Sequence, residues 1–209
     1  MGDIGSSDVK VLVACEFSGA MRDAFIRRGH DAVSCDLFPS ETSGPHYQGD
    51  VIDLLGGDWD LRVAFPPCTH LSAAGARWWS AKHREQAHAL GFVRRLMAAP
   101  MPAIAVENPV GRINTAIRAP DQILQPWQFG HDEIKTTCLW LKGLPALIPT
   151  GIVRTPRQQR CWKMPPSPTR GQERSRTYAG IAQAMAEQWG NSSGEPQLRF
   201  EEFDLCLKT

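Results

Sequence analysis

The sequence predicts an α/β protein with a doubly wound, mostly parallel sheet that ends in an antiparallel edge pair. Short apolar runs alternate with segments of helical periodicity through the first half of the chain, which is typical of parallel strands joined by right-handed crossovers. The first run, Val9 to Ala14, is interrupted only by Lys10, as expected for a strand covered on both faces. Two later runs, Ile123-Leu124 and 137–141, follow each other closely and predict the antiparallel pair.

Each further element is predicted from its periodicity and from the residues that end it. Helix 81–99 has the clearest pattern, because Leu90, Val93 and Leu96 recur at helical spacing. Gly29 predicts the end of the first helix, since glycine readily adopts the left-handed conformation of a C-cap. In chain order the predicted elements are strand 9–14, helix 20–28, strand 32–35, loop 39–49, strand 61–65, helix 81–99, strand 103–106, strands 123–124 and 137–141, an irregular segment 143–171 and helix 177–189.

Composition indicates one soluble globular domain over residues 1–190, followed by an acidic tail, 191–209. Hydrophobic residues make up 42% of the 209 residues and charged residues 22%, which is enough for one core. No apolar run approaches the roughly 20 residues of a membrane span, and no signal peptide is present. The six cysteines occur singly, which predicts no disulfide scaffold, no metal site and a cytosolic location with reduced thiols.

Two predicted strands end in residues that point to chemistry. Pro66 and Pro67 stop the first of these strands, because proline has no backbone N–H to donate to the ladder, and Cys68 follows them. The strand at 103–106 ends in Glu107 and Asn108. Because ligands bind at the carboxyl ends of parallel strands, a nucleophile and a carboxylic acid on two neighbouring strand ends predict an enzyme site.

These motifs resemble those of the C5-cytosine methyltransferases, particularly the compact versions found in phages and prophages. The resemblance runs in order from about Val9 to Trp189 and implies a Rossmann-like, S-adenosylmethionine-dependent methyltransferase fold in a bacterial or phage-infected cell. The similar segments are the first loop Phe17-Ser18-Gly19, the adenine-binding segment Gly49-Asp50-Val51, the nucleophile motif Pro66-Pro67-Cys68 with the loop Ser72-x-Ala74-Gly75, and the Glu-Asn motif Glu107-Asn108.

The resemblance implies a covalent mechanism. A thiolate at Cys68 adds to cytosine C6, which makes C5 nucleophilic enough to attack a sulfonium methyl group. The carboxylic acid of Glu107 protonates or hydrogen-bonds N3, and Asn108 positions Glu107 or holds the edge of the base. An ordered water then removes the C5 proton, and no base for that step is identifiable in the sequence.

The implied cofactor is S-adenosylmethionine. The loop from Glu16 to Gly19 approaches its methionine part, and the N-terminus of the helix behind that loop favours its carboxylate. Phe17 packs on the adenine, Asp36 accepts from the ribose hydroxyls, and Asp50 accepts from the adenine amino group. The cofactor-binding residues implied in this way are Glu16, Phe17, Ser18, Gly19, Asp36, Asp50 and Pro66.

The chain departs from the family where the target cytosine is held. The family's Gln-x-Arg-x-Arg motif is missing after Phe129-Gly130, where Lys135 is the candidate cation, and a literal match, 172–176, occurs just before the last helix. The sequence does not decide between the two segments. The candidate substrate-binding residues are therefore Pro67, Ser72, Lys135, Arg174 and Arg176.

A basic segment stands where sequence-specific relatives carry a large target-recognition domain. Residues 143–171 contain five basic residues and no acidic one, and Trp162 lies among them. Such a segment suits phosphate contacts and stacking on a base, but it is too short to read a long site. We expect low sequence specificity, recognition supplied by a partner subunit or a second copy, or a smaller substrate.

The leading hypothesis is methylation of cytosine C5 in DNA, with a duplex target flipped out to reach Cys68. Gly75 and Ser72 suit a loop that closes over the flipped base. One alternative keeps the chemistry and acts on a mononucleotide such as dCMP. Another is an inactive, methyltransferase-like module that binds DNA or a partner. A thiol hydrolase using Cys68 and His70 is disfavoured, because two residues this close on one loop rarely reach the required geometry.

Overall fold

Seven strands form one sheet in the order β3-β2-β1-β4-β5-β7-β6. The computed structural model describes residues 8–190, so the predicted acidic tail 191–209 lies outside the described residues. The strands are β1 Lys10–Ala14, β2 Asp31–Asp36, β3 His46–Gln48, β4 Leu61–Ala64, β5 Ala103–Asn108, β6 Gln122–Leu124 and β7 Thr137–Lys142. The helices are α1 Ala20–Ile26, α2 His83–Ala98, α3 Arg112–Ala116, α4 Arg160–Lys163, α5 Arg170–Ser175 and α6 Ala179–Trp189, with 3-10 helices at Val51–Leu54, Ala73–Ala81 and Pro126–Gln128.

The strand directions confirm the predicted fold class. Strands β1 to β5 are parallel, whereas β7 pairs antiparallel with both β5 and β6. The chain order reverses between β1 and β4, which creates the switch point where open α/β sheets bind ligands. This is a Rossmann-like fold, whose sheet is mostly parallel with an antiparallel edge.

Both faces of the sheet are buried, which explains the nearly continuous apolar strands. Val11 and Val13 of β1 face a core shared with α1 and α6, whereas Leu12 and Ala14 face a second core beneath α2. Helix α6 packs directly on α1 and ends at Trp189, whose indole Nε1 donates to the Pro145 carbonyl at 3.0 Å. The last helix therefore covers the same side of the sheet as the first.

A glycine permits the close approach of α6 to the segment before β7. A Cβ built on Gly180 would lie 1.9 Å from the Phe129 carbonyl oxygen, so a larger residue would push the helix away. The backbone N–H of Gly180 also donates to His131 Nε2 at 2.9 Å. These contacts attach the start of α6 to the segment that the resemblance associates with the substrate.

Several short elements differ from the prediction. Strand β3 forms within the predicted loop 39–49, because a strand that pairs along one side only needs no apolar run. The helices at 73–81, 112–116, 160–163 and 170–175 were also not predicted, since most are too short to show a period. Helix α6 begins at Ala179, two residues later than expected, and α2 begins at His83. Among residues 8–190, no helix is long and apolar enough to cross a membrane.

Candidate active site

Cys68 lies in the turn that follows β4. The ladder extends one bond past β4, from Phe65 N to the Ala14 carbonyl at 2.9 Å, and the two prolines then end it. The Cys68 carbonyl accepts from the backbone N–H of Leu71 at 3.0 Å and of Ser72 at 2.9 Å. The residue is therefore held at the start of a single helical turn at the carboxyl edge of the sheet.

Three charged side chains influence the Cys68 thiol electrostatically. The residue Cys68 is exposed to solvent. Protein atoms packed around part of it nevertheless bury the thiol enough to remove some of its hydration. This burial raises the pKa of Cys68, and the charge of Glu107 raises it further. Lys135 and Arg174 act in the opposite direction and lower the pKa. The predicted nucleophile and the predicted acid thus share one site with two cations.

The Glu-Asn motif occupies the end of β5, next to the nucleophile loop. Asn108 is buried, and its side-chain amide donates to the Pro66 carbonyl at 2.7 Å, which joins β5 to the residue two places before Cys68. The half-buried Glu107 accepts at Oε1 from the hydroxyl of Thr137 at 2.7 Å. Asn108 is therefore a positioning residue, and Glu107 is oriented from β7.

Thr137 is a site residue that sequence reasoning missed. It is the first residue of β7, and the register that pairs Glu107 with Leu139 brings its side chain to the carboxylate. The signal lay in strand pairing rather than in any local motif, because the two residues are thirty positions apart.

The two candidate replacements for the Gln-x-Arg-x-Arg motif lie side by side. Lys135 Nζ donates to the Arg174 carbonyl at 2.7 Å and lies 5.4 Å from the centre of the Tyr178 ring. Arg174 also lines a neighbouring cavity of about 220 Å³ between α4 and α6. Both segments therefore contribute to one site. Arg176 lines the same cavity, and its guanidinium also forms two hydrogen bonds to the Glu41 carboxylate, at 2.6 and 3.0 Å.

Glu16 is hydrogen-bonded to the two residues that precede α1. Its buried carboxylate accepts from Gly19 N at 3.1 Å and from the Ser18 hydroxyl. Burial raises the pKa of Glu16, and these two hydrogen bonds lower it. The role of this helix N-terminus as a partner for the cofactor's carboxylate stays a prediction.

Exposed apolar side chains surround the predicted adenosine site. Leu37 is 72% exposed and Phe38 51% exposed, directly after Asp36 at the end of β2. The ring of Phe38 lies edge-on to the buried Phe17, with 6.1 Å between ring centres. Leu37 and Phe38 were missed in the sequence, although an acid followed by two apolar residues at a strand end was a usable signal.

The two predicted cofactor-binding acids also act as local caps. Asp36 Oδ1 accepts from Phe38 N at 3.0 Å, and Asp50 Oδ1 accepts from Ile52 N at 3.0 Å. Asp50 is the N-cap of the 3-10 helix Val51–Leu54. Each carboxylate has a second oxygen directed away from its cap bond, so capping leaves an acceptor for a ligand.

The residues of this edge fit S-adenosylmethionine. Exposed apolar side chains at 37 and 38 suit an adenine ring, the acceptors Asp36 and Asp50 suit hydroxyl and amino groups, and the buried Glu16 carboxylate suits a cationic amino group. Within residues 8–190, no group of three or more histidine, cysteine or acidic side chains is arranged to hold a metal.

A fully buried arginine organises the loop that carries Phe38. Arg22 on α1 donates to the side chains of Asp23 at 2.8 Å and Thr42 at 2.6 Å, and to the Ser43 carbonyl at 3.1 Å. Further bonds reach Ser34 and Ser40. One side chain thus connects α1, β2 and the loop between β2 and β3.

We expect Arg22→Met to destabilise the fold by about 1–3 kcal/mol, because it removes the hydrogen bonds that join buried Ser34 to the loop residues Ser40, Thr42 and Ser43. We also expect weaker binding of S-adenosylmethionine, since residues 37–43 lose their anchor. Thermal unfolding and calorimetric titration of the cofactor measure the two effects. Arg22→Lys is the matched control, because it keeps the charge but loses most of the donors. Equal stability of Arg22→Met and the wild type would contradict this role.

The basic segment 143–171 is partly engaged within the protein. Arg157 lies 3.8 Å from the centre of the Trp127 ring and donates to the Val153 carbonyl. Arg160 forms ion pairs with Asp132 and with Glu133, the latter at 3.1 Å. Arg157 and Arg160, two of the five cations in segment 143–171, are therefore less available to phosphates than the sequence suggested.

Comparison with known proteins gives only a distant likeness. Neither a family model nor a curated protein matches the sequence. Among solved structures, one similar chain is a mutant of DNMT2 from Spodoptera frugiperda, with a TM-score of 0.42 and 16% sequence identity. The match covers 72% of this chain and 56% of that chain, so this chain spans little more than half of that structure's length. The function is therefore inferred from the site's own residues.

Proposed function

We propose that this protein is an S-adenosylmethionine-dependent methyltransferase that transfers a methyl group to C5 of cytosine in DNA. The observation that carries the proposal is that the hydrogen bond from Asn108 to the Pro66 carbonyl joins the strand end bearing Glu107 to the loop of Cys68, where the charges of Glu107, Lys135 and Arg174 act on the thiol. A nucleophile, an acid and two cations are the groups that addition to a pyrimidine ring requires. No other part of residues 8–190 combines an exposed thiol with a carboxyl group on a neighbouring strand end.

The Cys68 thiolate begins the reaction by adding to C6 of the target cytosine. As the C5–C6 double bond opens, its electron pair shifts through C4, and negative charge develops on N3. Glu107 hydrogen-bonds or protonates N3 as that charge develops. When bound, S-adenosylmethionine would supply an electrophilic methyl group to C5, and the electron pair of the broken S–CH₃ bond would stay on sulfur in the neutral thioether that leaves. Loss of the C5 proton to water then expels the Cys68 thiolate and restores the aromatic ring.

The surrounding residues position these two groups. Thr137 donates to one carboxylate oxygen of Glu107 and leaves the other for N3. Asn108 fixes the distance between the ends of β4 and β5 through its bond to the Pro66 carbonyl. Lys135 and Arg174 stabilise the thiolate and attract the anionic substrate. Pro67 and Ser72 border the opening through which the base enters.

S-adenosylmethionine is held on the opposite side of the switch point. Phe17, Leu37 and Phe38 provide the apolar contact for the adenine, and Asp36 and Asp50 accept from the ribose and the adenine amino group. Target recognition in DNA is limited by the short segment 143–171, so a partner subunit or a second copy of the chain supplies any long sequence preference.

Methyl transfer from labelled S-adenosylmethionine tests the proposal. The protein is incubated separately with duplex DNA, single-stranded DNA and dCMP, and label at cytosine C5 is measured by nucleoside digestion and mass spectrometry. We expect label in DNA. Label in dCMP alone would retain the chemistry and change the substrate to the mononucleotide. Absence of transfer to all three, together with binding of DNA, would support the inactive module instead.

A further inference from the structure

The segment that follows Cys68 contains an unusual helix. Residues Ala73–Ala81 form a 3-10 helix of nine residues, none of which is buried. Surface helices normally bury one face against a core, so an element of this length with no buried residue lacks its usual stabilisation. The helix begins five positions after Cys68, beside the mouth of the site.

This helix is attached mainly at its base. Ala73 N donates to the Val110 carbonyl at 2.9 Å, and Arg112 N donates to the Leu71 carbonyl at 2.7 Å. Gly111 makes the approach possible, because a Cβ built there would lie 1.9 Å from the Leu71 carbonyl oxygen. These bonds join the helix to the residues that follow the Glu-Asn motif, so its position is set by the active site.

Two consecutive tryptophans on the helix have different environments. Trp79 is half-buried beneath the Arg112 guanidinium, 5.4 Å from its ring centre, and docks the helix on α3. Trp78 is 55% exposed, and the guanidinium of its neighbour Arg77 lies 5.1 Å from the centre of its ring. One tryptophan therefore anchors the helix, and the other presents part of its ring to solvent.

The cations around Trp78 are not neutralised. Arg77, Lys82, Arg84 and Arg112 take no part in the ion pairs found within residues 8–190. This differs from the basic segment, where Arg160 is paired with two acids. The segment that follows Cys68, together with Arg112, thus combines an exposed aromatic ring with four cations that have no carboxylate partner within residues 8–190.

We propose that these residues, 73–84 together with Arg112, form a DNA-strand surface in which Trp78 stacks on a base next to the target cytosine. The inference rests on the proposed function, and it specifies which surface carries the DNA. Base stacking on an aromatic ring tolerates any sequence, and unpaired cations supply the phosphate contacts. A flipped cytosine also leaves its neighbour unstacked, and an exposed ring on the segment that follows Cys68 can cover it.

Fluorescence anisotropy with a labelled single-stranded oligodeoxynucleotide containing one cytosine tests this surface. We expect Trp78→Ala to raise Kd about tenfold or more, because one stacked base is lost. Trp78→Phe keeps an aromatic ring and is expected to retain most of the affinity. Arg77→Ala is expected to reduce the slope of log Kd against log salt by about 0.7, the value for one phosphate contact on a single strand.

Two matched variants control the experiment. Arg27→Ala removes an exposed cation at the far end of α1, away from the carboxyl edge, and is expected to leave Kd and the salt slope unchanged. Trp162→Ala removes another exposed tryptophan, from the basic segment, and is expected to weaken binding less than Trp78→Ala does. Thermal unfolding of each variant verifies that the fold is retained.

Wild-type affinity in Trp78→Ala would overturn the proposal. A larger loss of affinity in Trp162→Ala than in Trp78→Ala would also overturn it and would assign DNA to the basic segment. Tighter binding to RNA of the same sequence would overturn the choice of DNA. The binding assay requires no methyl transfer, so it tests this surface separately from the proposed function. Methylation of DNA with unchanged binding in Trp78→Ala rejects this surface alone, and Trp78-dependent binding without methylation rejects the activity alone.

Discussion

Replacing Cys68 by alanine is expected to reduce methyl transfer to cytosine to the background rate. Without the thiolate, no group adds to C6, and C5 of cytosine is too weak a nucleophile to attack the methyl donor. Label incorporated from S-adenosylmethionine measures the effect. Cys161→Ala is the matched control, because Cys161 is another free and partly exposed thiol that does not interact with Glu107. Measurable turnover by Cys68→Ala would contradict covalent catalysis.

The pH profile gives a second readout of the same thiol. Burial and the Glu107 charge raise the pKa of Cys68, so the thiolate is the minor form near neutral pH and its fraction increases as pH rises. We therefore expect kcat/KM to increase with pH across the neutral range and to decline as pH falls. An activity that stays constant down to pH 6 would contradict this assignment.

Replacing Glu107 by glutamine is expected to lower kcat by about 10²- to 10⁴-fold, the usual contribution of a positioned acid. Glutamine keeps the size of the side chain and still accepts from the Thr137 hydroxyl, so we expect the fold and the affinity for DNA to be retained. Single-turnover methylation separates the chemical step from binding.

Thr137→Val is the companion variant to Glu107→Gln. It removes only the hydrogen bond that orients the carboxylate, and we expect a smaller loss of kcat with little change in KM. Full activity in Glu107→Gln would remove Glu107 from the mechanism. Equal losses in Glu107→Gln and Thr137→Val would contradict the proposed difference between a catalytic and a positioning residue.

Sequence patterns predicted the features that depend on local chemistry. Continuous apolar runs identified the central strands, because a sheet covered on both faces must bury every residue of them. The prolines before Cys68 and the apolar run before Glu107 identified two strand ends. Parallel strands run in the same direction, so these two strand ends had to lie at the same edge of the sheet. This conclusion required no knowledge of the strand register.

Features that depend on strand register or on long-range contacts were not predictable from the sequence. Thr137 reaches Glu107 only through the antiparallel pairing of β7 with β5. The ion pair between Arg176 and Glu41 was also not predictable, since the two residues are 135 positions apart. Arg22 resembles an ordinary helix-surface arginine in sequence, and only the folded loop at 40–43 shows that it is buried.

The central claim is that the sulfur at position 68 bonds to a cytosine ring during turnover, and DNA containing 5-fluorocytosine tests it most directly. Fluorine at C5 cannot leave as a proton does, so the ring stays attached to the thiol after addition and methylation. We predict a stable protein–DNA complex that requires S-adenosylmethionine, with the modified base on the peptide containing Cys68. Recovery of unmodified protein, or attachment at Cys161 instead, would contradict the mechanism.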